Sequence, residues 1–174
     1  MPLNHKYLST LKNVLLGGVA IASTMVAMAK PASAQAAYGS YVGVGPTFGI
    51  TRNSSGDGQQ IGGVIAVRYK FLEAPFSFRT QDIIGRGTAI LPTFSYDLPL
   101  NWQTDVYVGA GASFSNGGPS PVGDQTAFAL QPGIDYMVPN SNLAIFGNAI
   151  VAFDAYRNGG GTAFSLQTGV GLKF

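Results

Sequence analysis

The last twelve residues of the chain, AFSLQTGVGLKF (163–174), alternate between two kinds of side chain with a period of two. One face would carry Phe164, Leu166, Val170, Leu172 and Phe174, whereas the other would carry alanine, serine, glutamine, glycine and lysine. Because successive side chains of a strand point to opposite faces, this pattern predicts a β-strand with one apolar face.

The same alternation recurs seven times before this stretch. The predicted segments are 42–51, 61–71, 76–81, 88–98, 105–114, 125–136, 143–154 and 163–174. Connections such as Asp57-Gly58 and Asn116-Gly117-Gly118 carry residues that favour tight turns. Eight alternating segments joined in this way predict an all-β protein, an eight-stranded antiparallel up-and-down barrel.

Charged residues make up 10% of the chain, against about 25% in typical soluble domains. We assign the charges after residue 34 to the polar faces or to connections, with Asp82 in a connection and Asp154 on a polar face. A lipid-facing charge costs up to about 2–4 kcal/mol at the bilayer midplane, so this distribution predicts a transmembrane barrel. A soluble barrel that binds an apolar ligand inside has the same period and stays the alternative, although a glycine-rich polar face suits a narrow lumen better.

Residues 1–34 resemble a secretory signal peptide. Lys6 and Lys12 precede an uncharged apolar stretch at 13–29, and Ala-Ser-Ala at 32–34 matches a cleavage pattern. We expect cleavage before Gln35, which leaves 35–174 as the barrel domain of a protein exported to the bacterial outer membrane. The alternative is an uncleaved anchor, since 17 residues are at the short limit for a membrane-spanning helix, about 17–25 residues.

Three tyrosines mark one end of the predicted barrel. Tyr69, Tyr96 and Tyr136 each close an even-numbered segment and precede a proline-containing turn, and Trp102 lies in the second of these turns. We interpret these four residues as interfacial aromatics on the periplasmic side. The full set of aromatic residues expected on the outer face at strand ends is Tyr41, Tyr69, Phe71, Tyr96, Tyr136, Phe153 and Phe174.

Three prolines, Pro46, Pro92 and Pro132, fall inside predicted strands. Proline cannot donate a ladder hydrogen bond, and a closed barrel has no edge strand to accommodate it. We therefore expect bulges or local kinks at these positions.

With its eight alternating segments and aromatic strand ends, the region 38–174 resembles the small outer-membrane barrels of the OmpA/OmpX type. In that family a closing phenylalanine with alternating apolar residues before it acts as an assembly signal, and Val170, Leu172 and Phe174 match it. The resemblance implies barrel-insertion machinery as a partner, and outer-membrane lipid and lipopolysaccharide as surroundings. Family functions range from structural to adhesive to enzymatic, so the resemblance does not select one.

Seven charged side chains are predicted to face the lumen near the tyrosine turns: Arg68, Lys70, Arg79, Lys173, Asp97, Asp105 and Asp135. The basic residues come from segments on one side of the barrel and the acidic residues from the opposite side. Eight strands leave an interior that side chains just fill, so we expect a salt-bridge network that closes the lumen in a protein with a structural envelope role. The alternative is a channel that uses the same polarised lumen to pass small ions or solutes.

The sequence argues against several other functions. It contains no cysteine, and its one histidine, His5, lies in the expected leader, so we expect no catalytic residues, no metal site and no cofactor. Three of the ten basic residues also lie in the leader, leaving seven against eight acidic ones. Without a basic patch we expect no nucleic-acid partner.

Overall fold

The computed structural model of the chain describes residues 39–52, 59–116, 118–157 and 160–174. They form eight strands: β1 (Tyr41–Gly49), β2 (Ile61–Lys70), β3 (Phe76–Ile84), β4 (Thr88–Pro99), β5 (Thr104–Ser115), β6 (Ala127–Met137), β7 (Leu143–Phe153) and β8 (Ala163–Lys173). The expected signal peptide and its cleavage site lie outside the described residues. Within the described ranges, no helix is long and apolar enough to span a membrane.

Each strand pairs antiparallel with the next one along the chain, and β1 pairs with β8 to close the barrel. The ring closes with Tyr41 opposite Arg68 on one side and opposite Lys173 on the other. Closure leaves no sheet edge unpaired. The prediction of an eight-stranded antiparallel up-and-down barrel is confirmed.

The apolar face of every strand points outward. Val44, Phe94 and Val170 are more than half exposed, at 57%, 52% and 55%, while their inward neighbours such as Ser95 are buried. A slip of one residue in any strand would turn its whole apolar set inward. The barrel therefore presents a continuous apolar outer surface and a mostly polar or small-residue interior.

Two acidic residues depart from their predicted places. Strand β3 continues to Ile84, because Ile83 is fully buried inside the barrel and keeps the alternation going. Asp82 therefore lies on the outer face between Ile65 and Ile90, and not in a connection. Strand β7 ends at Phe153, so Asp154 is an exposed turn residue with a positive φ of 53° and does not face the lumen.

The bulges expected at the strand prolines are absent from the described strands. At Pro92 the β4–β5 ladder is interrupted, yet Ile90 opposite Phe114 and Thr93 opposite Gly111 keep one register, so no residue is inserted. The β1–β8 and β6–β7 ladders show the same interruption at Pro46 and Pro132. Each proline faces outward and leaves ladder contacts intact on its other side.

Candidate functional site

The centre of the near half of the barrel, the half that holds the tyrosine turns, is a buried ion-pair cluster. We define it as Arg68, Lys70, Arg79, Asp97, Asp105 and Asp135. The basic residues come from β2 and β3, and the aspartates come from β4, β5 and β6. Three positive and three negative groups thus balance one another across the lumen.

Arg68 is the hub of the ion-pair cluster. Its Nη2 lies 2.7 Å from Asp97 Oδ2 and 2.7 Å from Asp105 Oδ2, and its side chain is fully buried. Its Nη1 lies 3.0 Å from Asp135 Oδ2, an ionic contact that lacks hydrogen-bond geometry. One guanidinium therefore touches all three aspartates.

Arg79 and Lys70 complete the ion-pair cluster. Arg79 Nη2 lies 2.9 Å from Asp135 Oδ2 and 3.2 Å from Asp97 Oδ1. Lys70 Nζ lies 2.6 Å from Asp105 Oδ2 and is partly exposed toward the near opening. Asp97 and Asp135 thus each contact arginines of both β2 and β3, whereas Asp105 contacts two basic side chains of β2.

The strand register explains why these ion pairs cross the lumen. Arg68 lies directly opposite Arg79 between β2 and β3, and Asp105 lies directly opposite Asp135 between β5 and β6. Like charges facing each other on adjacent strands destabilise a sheet. Arg79 of the first pair also contacts Asp97 on the adjacent strand β4, whereas the Asp105–Asp135 pair is compensated by basic side chains of β2 and β3 across the lumen.

Hydroxyl and aromatic side chains complete the coordination of the ion-pair cluster. Ser77 Oγ donates to Asp97, and Arg79 Nε donates to Ser95 Oγ at 2.9 Å. Tyr41 Oη donates to Asp135 Oδ1 at 2.9 Å. The Arg79 guanidinium carbon lies 3.3 Å from the centre of the Tyr107 ring, a cation–π contact.

The contacts of Tyr41 and Tyr107 with the ion-pair cluster are not predicted by the sequence. Tyr41 was expected on the outer face, but it is buried and stacks on Phe146 inside the barrel. The signal was available, because Tyr41 has the same parity as the inward residues Gly43 and Thr47. The alternation of β5 puts Tyr107 on the same inward face as Asp105, but nothing in the sequence indicates that its ring lies against the Arg79 guanidinium.

The other predicted residues lie at the edges of the barrel. Lys173 lies at the near rim, where its Nζ donates to the carbonyl oxygen of Val138 at 3.2 Å. Tyr69, Tyr96 and Tyr136 point outward at the near ends of their strands, and Trp102 is 90% exposed in the β4–β5 connection. The candidate assembly residues Val170, Leu172 and Phe174 are exposed on the outer face of the last strand and just beyond it.

The far half of the interior carries large apolar side chains beside small polar ones such as Ser113 and Ser165, which the sequence does not predict. Val64, Ile83, Leu91 and Ile150 point inward there and are fully or almost fully buried, among several alanines. We define the apolar cap as Val64, Ile83, Leu91 and Ile150, together with Val122. The outward and inward faces of these strands are both apolar at this level, so hydropathy contrast gives no warning of it.

The β5–β6 connection covers the far opening. Gly87 N donates to Pro119 O at 2.7 Å, and Asp124 N donates to Ala155 O at 2.9 Å. These hydrogen bonds tie the β5–β6 connection to the β3–β4 connection and to the β7–β8 connection, which lie on opposite sides of the ring. Residues 120–123, which lie between the two bonded positions, are buried, and Val122 packs with the other residues of the apolar cap.

Comparison with known proteins places the chain by its fold. No protein-family model matches it, and no curated protein matches it in sequence. Three similar solved structures are a de novo designed transmembrane β-barrel (10% identity, TM-score 0.54), Neisserial surface protein A, NspA (19%, 0.56), and the Yersinia pestis outer membrane protein Ail in a phospholipid bilayer nanodisc (15%, 0.52). Each covers 78% of this chain and 96–98% of its own length. The fold is shared with small outer-membrane barrels. At these identities the likeness establishes architecture alone.

Proposed function

We propose that this chain is a non-enzymatic integral outer-membrane barrel of the OmpA/OmpX type with a structural role in the envelope. The ion-pair cluster carries the proposal, because six mutually compensating charges occupy the cross-section of the near half. Burial of these six charges costs free energy, and their mutual contacts offset that cost only if the geometry holds all partners together. Side chains that fill the lumen in this way favour a rigid barrel over the passage of small ions or solutes.

The outer surface supports membrane insertion. Among the described residues, twenty-eight large apolar side chains on strands and connections are exposed, far more than a soluble protein of this size would leave in contiguous patches. Aromatic side chains at the near end would lie at the headgroup level. In this proposal outer-membrane lipid and lipopolysaccharide surround the barrel, and barrel-insertion machinery recognises Val170, Leu172 and Phe174.

The closed far opening supports a silent barrel over the alternative of a small-ion or small-solute channel. The β5–β6 connection spans that opening, and the apolar cap beneath it presents no group that would replace the hydration shell of an ion. The interior chemistry also favours a protein without catalysis, because the aspartates of the ion-pair cluster are engaged with its basic side chains and Asp97 also with Ser77 and Ser95. The described part of the chain also contains no histidine that could act as a base.

Fractionation and conductance test this proposal. We expect the protein in the outer-membrane fraction, extracted only with detergent and migrating differently on gels before and after heating. Reconstituted in a planar bilayer, the folded protein should show no stepwise conductance. Solubility without detergent would refute the membrane assignment, and reproducible ion-selective steps would instead establish the channel.

A further inference from the structure

A layer of amide side chains lies between the ion-pair cluster and the apolar cap. We define the amide belt as Gln81, Gln131, Asn148 and Gln167, all pointing inward. On β3, Gln81 lies between Arg79 of the ion-pair cluster and Ile83 of the apolar cap, which fixes its level. On β7, Asn148 lies in the same way between Phe146 and Ile150.

The amide belt is buried but incompletely paired. Exposure of its four residues ranges from 1% to 6%. Among the described residues, Gln81 Oε1, Gln131 Nε2, Gln167 Oε1 and both amide atoms of Asn148 have no hydrogen-bond partner. Two of their remaining atoms are engaged: Gln131 Oε1 accepts from Thr93 at 2.6 Å, and Gln167 Nε2 donates to Ser165 at 2.8 Å.

Two further buried hydroxyl groups on β5, those of Tyr107 and Ser113, have no partner in the part of the chain that the structure describes. A Cβ atom built on Gly133 would lie 2.5 Å from Tyr107 Oη and 2.7 Å from Asn148 Cβ. The hydroxyl group and the Asn148 side chain therefore flank the same glycine.

We propose that the amide belt binds a cluster of ordered water molecules. A buried polar atom left unpaired costs about 1–3 kcal/mol, and buried polar groups are satisfied by protein or by water in nearly all native structures. The unpartnered atoms include donors and acceptors, and water is a ligand that can serve both. The proposal concerns the lumen alone and does not depend on where the barrel resides.

The chemistry of the two neighbouring layers limits the ligand to neutral molecules. The amide belt itself contains no charged side chain, and the apolar cap above it offers no counter-ion. The charges below are already matched three against three. A hydrated amide belt would separate a polar network from an apolar end in a lumen only a few side chains wide.

Solution NMR of the purified barrel in detergent micelles tests this proposal. We expect cross-peaks between water and the side-chain amide protons of Asn148 and Gln131, with the sign that marks long-lived bound water. A crystal structure should show water within hydrogen-bond distance of Asn148 Oδ1 and Nδ2. Side-chain amides that pair directly with one another, with no water cross-peaks, would overturn the proposal.

Variants at Asn148 sharpen the test. Asn148→Leu keeps the branching and the number of side-chain heavy atoms and removes both polar atoms, so the water cross-peak of Gln131, its diagonal neighbour, should weaken or vanish. Asn148→Ser leaves a hydroxyl group and more space, so that peak should persist, and this variant serves if the leucine variant does not fold. Ser95→Ala, which removes a hydroxyl group bonded to Arg79 and Asp97 of the ion-pair cluster, should leave the Gln131 peak unchanged. An undiminished Gln131 peak in the folded leucine variant would rule out a shared cluster.

Discussion

At the residue scale, burial of charge is the dominant feature of the molecule. Arg68 has no exposed surface and yet contacts three carboxylates on three strands. Such an arrangement is stable only while every partner remains, because each removal leaves an uncompensated charge in a medium of low dielectric. Lys70 contributes to the same cluster from a partly exposed position at its edge.

We predict that Arg68→Met destabilises the barrel by about 3–5 kcal/mol, the cost of breaking a buried pair from one side. Three aspartates would keep only Arg79 and Lys70 as partners. Urea unfolding in lipid vesicles, followed by circular dichroism, measures the change. Lys70→Met is the matched control and should cost clearly less, since water reaches its ammonium group. Equal losses from the two variants would contradict the hub role of Arg68.

Asp82 gives the second prediction at this scale. Its carboxylate lies on the apolar outer face beside two isoleucines, where an acidic group in lipid costs less than a basic one but more than a leucine. We predict that Asp82→Leu stabilises the barrel in vesicles by up to about 1 kcal/mol. Arg86→Leu, in the exposed β3–β4 connection, should bring no gain. A destabilised leucine variant would show that the carboxylate has a favourable role there.

At the element scale, the strands meet most closely where prolines interrupt their ladders. A Cβ atom on Gly111 would lie 2.0 Å from the carbonyl oxygen of Pro92, and one on Gly45 would lie 1.8 Å from that of Thr168. Only glycine permits backbones to approach so closely. Proline and glycine thus act as a pair across β4 and β5, and the register survives without a bulge.

We predict that Gly111→Ala destabilises the barrel by about 1–3 kcal/mol, because the methyl group must push β4 and β5 apart. Gly147→Ala is the matched control on β7, where the nearest atoms to a new Cβ lie 3.9 Å away. Unfolding midpoints of the two variants in the same detergent measure the difference. A neutral Gly111→Ala would mean that the strands separate at no cost.

At the scale of the whole molecule, the two ends of the barrel differ. The near end has proline-containing turns, outward tyrosines and the ion-pair cluster, while the far end has the apolar cap beneath a connection that spans the opening. Two different ends are expected of a barrel that inserts into the membrane in one orientation. We take the near end as periplasmic, as the tyrosine turns suggest.

The lack of cysteine in the sequence makes orientation directly measurable. We predict that a cysteine at Arg157, in the β7–β8 connection, reacts with a membrane-impermeant maleimide added to intact cells. A cysteine at Trp102, in the β4–β5 connection, should react only after the outer membrane is opened. The reverse labelling pattern would invert the proposed topology, and labelling of both sites on intact cells would argue against a spanning barrel.

Local alternation was enough to predict the fold of this protein, because the period of two determines both the strands and the side of each residue. Thus the outward position of Val170 and the inward position of Arg68 were predictable from the sequence. The end of strand β3 was not predictable from the sequence. Asp82 interrupts the apolar outer face, while the next residue, Ile83, is apolar and points into the lumen. Only barrel closure decided which inward groups meet, because contacts across the lumen depend on the stagger of all eight strands. Tyr41 therefore reaches Asp135, and the unpaired amides lie together, at distances that no stretch of sequence encodes by itself.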